Sequence, residues 1–391
     1  MNSVIRNINI LYGAELELIE DHEIWFENGV ISEIAPMSKE KSDYEIDGQD
    51  GYLIPGLIDL HVHVIWDGSE DPVSMTEKEG YEQMLMRAVS NGHHYLEHGI
   101  TTVRDIGSID DISIHVSKAI RRGVIKGPEI ITSGKTLTMT GGHDPFWANF
   151  VDGKDAALKG VREQIYKGAT VIKISASGGV YGRSEGESAG QSELSLEEMT
   201  IICDEAHKFG LDVASHAIGR ESIKNSILAG VDTIEHGHYM DDELMDLMEE
   251  HKVAWNPTLF VYRQVAEHQG VPEYARKKAK DIVKIHDAAF KKYHKRDILI
   301  GAGSDAGSPG VSHHALKDEI YAMNETIQDN KETLKTATVT AGKILKREKG
   351  IILEGYEADL VILKDNPLEN LEHLNTVQRV FARGESVFKI N

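Results

Sequence analysis

The chain has 391 residues, with 64 acidic side chains against 42 basic ones and a net charge of −22. So acidic a chain lacks the broad positive face that nucleic acid or an anionic membrane requires; its basic clusters, 276–280 and 291–296, fall within one predicted helix. Its single cysteine, Cys203, excludes an intrachain disulfide and a Cys-rich metal site.

The first 55 residues read as short strands at 3–10, 14–20, 23–27 and 30–34, with an Asn-Gly turn at 28–29. From 56 onward strands and helices alternate. Strands are expected at 57–64, 100–104, 129–133, 170–175, 212–216, 231–236, 252–256 and 297–304. Helical patterns fill 76–98, 111–122, 155–167, 195–208, 219–229, 241–251, 272–295 and 314–340. The helix at 195 opens on a capping box, Ser195-x-x-Glu198. Eight strand–helix pairs match a (β/α)8 TIM-like barrel, an α/β fold. A doubly wound sheet that binds a nucleotide would need a Gly-rich loop after its first strand, where this chain has histidines. Strand character returns at 358–363 and 377–387. The expected organisation is a barrel over 56–345 with a small β-sandwich formed by both termini, 1–55 and 346–391. No window has the apolar length of a membrane span or a signal-peptide core, so a cytoplasmic protein is expected.

Chemistry in a barrel sits at the C-terminal ends of its strands. Strand periodicity puts Asp59, His61 and His63 on one face of the first strand. A chain with 19 histidines holds about one His-x-His by chance, so only its position in the barrel is informative. The fourth strand carries a lone lysine, Lys173, between apolar residues, and an unpaired buried ammonium is costly. The fifth, sixth and eighth strands end in His216, His236 and Asp305. Five strands thus present ligand-type residues at the same end, a metal-site arrangement. His93, His94 and His98 read as solvated, His313 and His314 as capping or surface residues, and Cys203 as core.

Leu53-Ile54-Pro55-Gly56-Leu57-Ile58-Asp59-Leu60-His61-Val62-His63, with Lys173, His216, His236, Gly303-Ser304-Asp305 and Glu357-Ala358-Asp359-Leu360, resembles the metal-dependent amidohydrolase superfamily over nearly the whole chain. Thr140-Gly141-Gly142-His143, Ser175-Ala176-Ser177-Gly178-Gly179 and Asp232-Thr233-Ile234-Glu235-His236-Gly237 resemble its imidazolonepropionase-like branch, which includes Xaa-Pro dipeptidases and carboxypeptidases. The resemblance implies two divalent ions, zinc first, with manganese and cobalt fitting the same ligands. His61, His63 and Asp305 would hold one ion, His216 and His236 the other, and a Lys173 carboxylated by CO2 would bridge them. It also implies attack by a metal-bridging hydroxide, with Asp305 as catalytic proton shuttle.

For the substrate, the candidates are His143 in the loop after strand three, Tyr181 and Arg183 after the Gly178-Gly179 turn, Arg220 at a helix start, and His238 beyond His236. Ile218 stands where the branch often has a polar or aromatic residue. The expected activity is hydrolysis of an amide in a small carboxylate-bearing substrate, such as an Xaa-Pro dipeptide or an N-acyl amino acid. Alternatives are a cyclic amide, an ester or lactone, or a non-catalytic metal-binding barrel subunit. Imidazolonepropionase itself lacks the bridging lysine, and a deaminase would carry a glutamate near strand five that is not found here. A homo-oligomer is compatible with this reading.

Overall fold

The computed structural model describes residues 2–38, 40–181 and 186–390. Strands β1 (Asn2–Tyr12), β2 (Glu17–Glu27), β3 (Val30–Pro36) and β4 (Tyr44–Pro55) form the N-terminal part. At the other end come β14 (Leu360–Leu363), β15 (Val377–Ala382) and β16 (Glu385–Lys389). The two groups pair into one seven-stranded sheet, order β16-β15-β14-β4-β1-β2-β3, so the β-structure expected as a small sandwich is built from both termini, with its strands hydrogen-bonded in a single sheet. β4 was absent from the strands read in the sequence: its Gly48 and Gly51 interrupt the apolar alternation. The stretches expected as two strands over 14–27 are the single strand β2. Ile5, Ile10, Ile24, Phe26, Leu360 and Phe381 form this sheet's own buried cluster.

Between the two groups run β5 (Leu57–Val62), α1 (Pro72–Lys78), α2 (Tyr81–Glu97), β6 (Ile100–Asp105), α3 (Ile112–Arg121), β7 (Glu129–Thr132), β8 (Thr136–Thr138), β9 (Ala148–Phe150) and α4 (Lys154–Lys167). There follow β10 (Ile172–Ser175), α5 (Leu196–Lys208), β11 (Val213–Ala217), α6 (Arg220–Ala229), β12 (Thr233–His236), α7 (Asp242–His251) and β13 (Ala254–Asn256). The remainder is helical: α8 (Leu259–Glu267), α9 (Glu273–Tyr293), α10 (Leu316–Ile327), α11 (Asn330–Thr336) and α12 (Val339–Ile344). No helix among the described residues is long and apolar enough to cross a membrane.

Parallel pairing joins β5-β6-β7 in one group and β10-β11-β12-β13 in another. The ladder does not run unbroken around the barrel. β7 and β10 meet through the Thr170 N–H donating to Thr132 O at 2.8 Å. The eighth position is filled by an irregular segment, 298–306, where a strand was expected. It bonds to β13 through Trp255 N–Leu299 O at 2.9 Å and to β5 through Leu60 N–Ala302 O at 3.0 Å and Asp305 N–His61 O at 2.8 Å. A buried side chain explains the irregularity. Asp59 accepts the Ser304 N–H at 2.9 Å and its hydroxyl at 2.5 Å, a local alternative to the ladder.

Two helical expectations resolve differently. The pattern at 314–340 is three helices: left-handed Gln328 (φ 55°) ends the first, Asp329 caps the second, and a further break at Ala337 and Thr338 precedes the third. α8 was not anticipated. Its first N–H groups, from Leu259 and Phe260, donate to Glu319 of α10 at 2.9 and 2.7 Å, so its start is set by a distant carboxyl.

Candidate metal centre

The six residues expected as metal ligands converge on one cavity. It is lined by His61, His63, Lys173, His216, His236 and Asp305 together with Trp66, Val180, Tyr181, Val261, Tyr262 and Val265. His143, Asp144, Ser308 and Pro309 complete the wall. His61, His236 and Asp305 each place a ligand-type atom within 4.8 Å of the others. His63 Nε2 is 3.3 Å from Asp305 Oδ1, and His61 Nε2 is 3.8 Å from the same oxygen. The His216 and His236 rings stand 4.7 Å apart, edge to face.

The rings are fixed from behind. His61 Nδ1 donates to Glu235 Oε2 at 2.9 Å, His63 Nδ1 faces Gly107 O at 3.2 Å, and His236 Nδ1 pairs with Thr258 Oγ1 at 2.7 Å. This leaves their Nε2 atoms for the cavity, the pattern by which hydrogen-bonded imidazoles present a lone pair to a metal. Glu235 is held in turn by Arg104 at 2.6 Å, by Thr233 Oγ1 at 2.5 Å and by Asn256 at 3.2 Å. Backbone geometry adds to the ordering. His236 (φ 71°), Asp305 (φ 57°) and Asp144 (φ 59°) all occupy the left-handed region, which few residues other than glycine adopt and which Asp and His tolerate better than most.

Protonation follows from burial and neighbours. Burial lowers the pKa of His61, His216 and His236, and the Lys173 charge lowers them further. The lowering favours their neutral form, the one that binds metal. Burial alone would raise Asp305, yet His61 and His63 hold its carboxyl well below the usual range. Burial would also raise Glu235, but Arg104 and His61 bring it down to about 2. Asp59, buried beneath the site, is pushed up to about 7. Burial pushes the Lys173 ammonium down, against the fields of Glu235, Asp144 and Asp305. The donor set, neutral imidazoles beside a charged carboxylate and a buried amine, fits divalent cations.

The substrate candidates divide. His143 lines the cavity; its Nδ1 lies 2.7 Å from Glu187 Oε1 and its Nε2 3.1 Å from Asp144 Oδ1. Burial would lower its pKa, but these two carboxylates raise it to about 9. Tyr181 also lines the cavity, with its hydroxyl donating to Asp71 at 2.5 Å. Arg183 lies outside the described residues. Arg220 is not in the cavity wall: it is half exposed and pairs with Asp241 and Glu243. His238 is buried behind the wall, stacked on His286 at 3.9 Å, with neither ring nitrogen hydrogen-bonded among the described residues. Ile218 is fully buried and likewise outside the wall. His313, expected at the surface, is buried between the Tyr95 hydroxyl (2.6 Å) and Trp66 O (2.8 Å), where it ties α2 to the loop after β5. Cys203 is buried as expected.

Sequence reading passed over Arg104, Glu187, Glu235 and Thr258. A charged residue inside an apolar strand, the signal that exposed Lys173, also marks Arg104 and Glu235. Glu187 sits in a polar loop and carries no such signal.

A family model described as "Amidohydrolase family" matches residues 52–387. The ochratoxinase of Aspergillus niger is 28% identical over 357 residues, covering 82% of this chain and 72% of that protein. A Xaa-Pro dipeptidase solved with methionine in its active site superposes with a TM-score of 0.90 at 29% identity over the whole of both chains. A prolidase in complex with N-methylphosphonate-L-proline gives 0.91 at 30% identity, again over the whole of both chains. The chain belongs to the amidohydrolase family. It is a hydrolytic enzyme acting on amide bonds, with a candidate metal-binding triad in His61, His236 and Asp305.

Proposed function

We propose that the enzyme cleaves the amide of a small carboxylate-bearing substrate, an Xaa-Pro dipeptide or an N-acyl amino acid. The observation that carries this reading is the convergence of six ligand-type side chains, from five positions around the barrel, on one cavity that apolar side chains also line. His61, His63 and Asp305 would hold one divalent ion and His216 and His236 a second. A carboxylated Lys173 would bridge them, CO2 converting its buried amine into an anionic oxygen donor as a proton leaves the nitrogen. When bound, the ions supply Lewis acidity to the scissile carbonyl and make a water acidic near neutral pH.

The chain's own residues do the rest. Asp305, ionised and accepting from Ser308 Oγ at 2.8 Å, takes the proton of the attacking water and delivers it to the departing nitrogen. His143, charged below about pH 9, donates from Nε2 to the carbonyl oxygen as it gains charge. Trp66, Val180, Tyr262 and Val265 exclude water and seat an apolar substituent.

The test is amine release by zinc-loaded protein across dipeptides, N-acyl amino acids and cyclic amides. Release confined to substrates with a free carboxylate is expected. Turnover of cyclic amides or esters alone overturns the reading. Asp305→Asn is expected to lower kcat by roughly 100-fold or more; undiminished turnover excludes the shuttle.

A further inference from the structure

Behind the cavity wall stands a carboxylate that sequence reading did not single out. Glu187 is buried, and its Oε1 accepts from His143 Nδ1 and from the Gly179 N–H, each at 2.7 Å. Its Oε2 has no hydrogen-bond partner among the described residues, the Lys278 ammonium lying 3.9 Å away. Glu187 cannot swing aside freely. Its stretch is laced to the loop after β10 by Gly178 N–Gln191 O at 2.9 Å and Gly190 N–Gly178 O at 3.1 Å.

The His143 ring lies nearly flat on His216, centroids 4.3 Å apart at 29°. Stacking fixes its plane but not its rotation within that plane. The other side of the ring is free to approach only because residue 179 is glycine: a Cβ there would sit 2.1 Å from His143 Cε1. The in-plane orientation, and so the direction of Nε2, is set by the shorter bond at Nδ1 (2.7 Å to Glu187) together with the 3.1 Å approach of Nε2 to Asp144 Oδ1, the oxygen beside which a substrate carbonyl would have to be received.

We infer that Glu187 is a positioning residue for amide hydrolysis, holding His143 so that Nε2–H points at the substrate carbonyl oxygen. The inference rests on the proposed role of His143 at that oxygen. It makes the 186–193 stretch part of the catalytic apparatus although none of its residues touches the substrate's reacting atoms.

Two variants of the full, metal-loaded chain test it. Glu187→Leu removes the acceptor, and Glu187→Gln keeps an oxygen in its place. E187L is expected to lower kcat by about 10- to 100-fold, with KM and metal content unchanged, as losing the partner of a functional imidazole does. E187Q is expected to regain most of that loss, and E187L is expected to add nothing in a His143→Ala background. Unchanged kcat, a loss that persists without His143, or an E187Q as impaired as E187L overturns the inference.

A second readout is independent of turnover. In protein labelled with 15N-histidine, the hydrogen-bonded Nδ1 proton of His143, assigned by its absence in H143A, is expected to vanish in E187L and to move upfield in E187Q. An unmoved resonance in either variant overturns the inference. If wild-type protein hydrolyses nothing in the panel, the amide reading fails while this resonance still decides the role of Glu187.

Discussion

Arg104 and Glu235 are buried side by side beneath the cavity, each the other's main compensation for lost hydration. Arg104→Met leaves a buried carboxylate beside His61 without its guanidinium, a loss of about 3–5 kcal/mol when one partner of such a pair is removed. A marked fall in the thermal midpoint is expected by calorimetry, partly restored by adding Glu235→Gln. Glu23 supplies a pH-dependent counterpart in the terminal sheet. Burial would raise its pKa, but Arg6 and Ser38 bring it from 4.5 to about 2. Its stabilisation is therefore full above pH 4.5 and is lost as pH falls through about 2. Glu23→Gln is expected to flatten stability against pH across that window in urea titrations, whereas parallel curves exclude the effect. At this scale the sequence was most legible where polarity contradicted its surroundings. His61, His63, Lys173, His216, His236 and Asp305 stand out because strands so apolar have no bland use for them. Glu187 and Asp144 do not stand out, because loops are polar anyway and only the fold reveals that these two are buried.

Helices and strands were legible where periodicity ran uninterrupted, as in α4, α5 and α7, whose observed ends fall within a residue of expectation. They were not legible where a tertiary partner decides. α8 begins on a carboxyl 60 residues away in sequence, Glu319 to Leu259. The eighth barrel position loses its ladder to Asp59, and no local signal announces either event. Glu319→Ala removes two hydrogen bonds from the start of α8, with an expected cost of about 2 kcal/mol. Because α8 carries Val261, Tyr262 and Val265 into the cavity wall, KM is expected to rise more than kcat falls. An unaltered KM in steady-state assays excludes that coupling. Gly179→Ala is the complementary change, since its methyl collides with the His143 ring while the surrounding main chain is left intact. Near-complete loss of turnover with an unchanged circular dichroism spectrum is expected.

Lys349 holds the barrel to the terminal sheet. It is almost wholly buried, with Glu129 of β7 at 3.0 Å, Asp359 beside β14 at 2.6 Å and Glu357 at 2.5 Å. Lys349→Met leaves three carboxylates facing one another at the seam, and a loss of about 3–5 kcal/mol is expected, seen as a lower midpoint in chemical denaturation. The two-part plan was legible from the strand-rich ends. The seam was not, because its four residues come from three separated stretches of chain. The left-handed backbone at Asp144, His236 and Asp305 bears on the molecule as a whole, since each such residue costs on the order of 1–3 kcal/mol that the rest of the fold must offset. Glycine or asparagine relieves that cost at all three positions, and at all three it removes a side chain of the cavity wall. In protein without bound metal, selection for heat resistance alone would therefore not preserve these three side chains. A library evolved for shelf life without a turnover screen would drift toward durable, inert barrels.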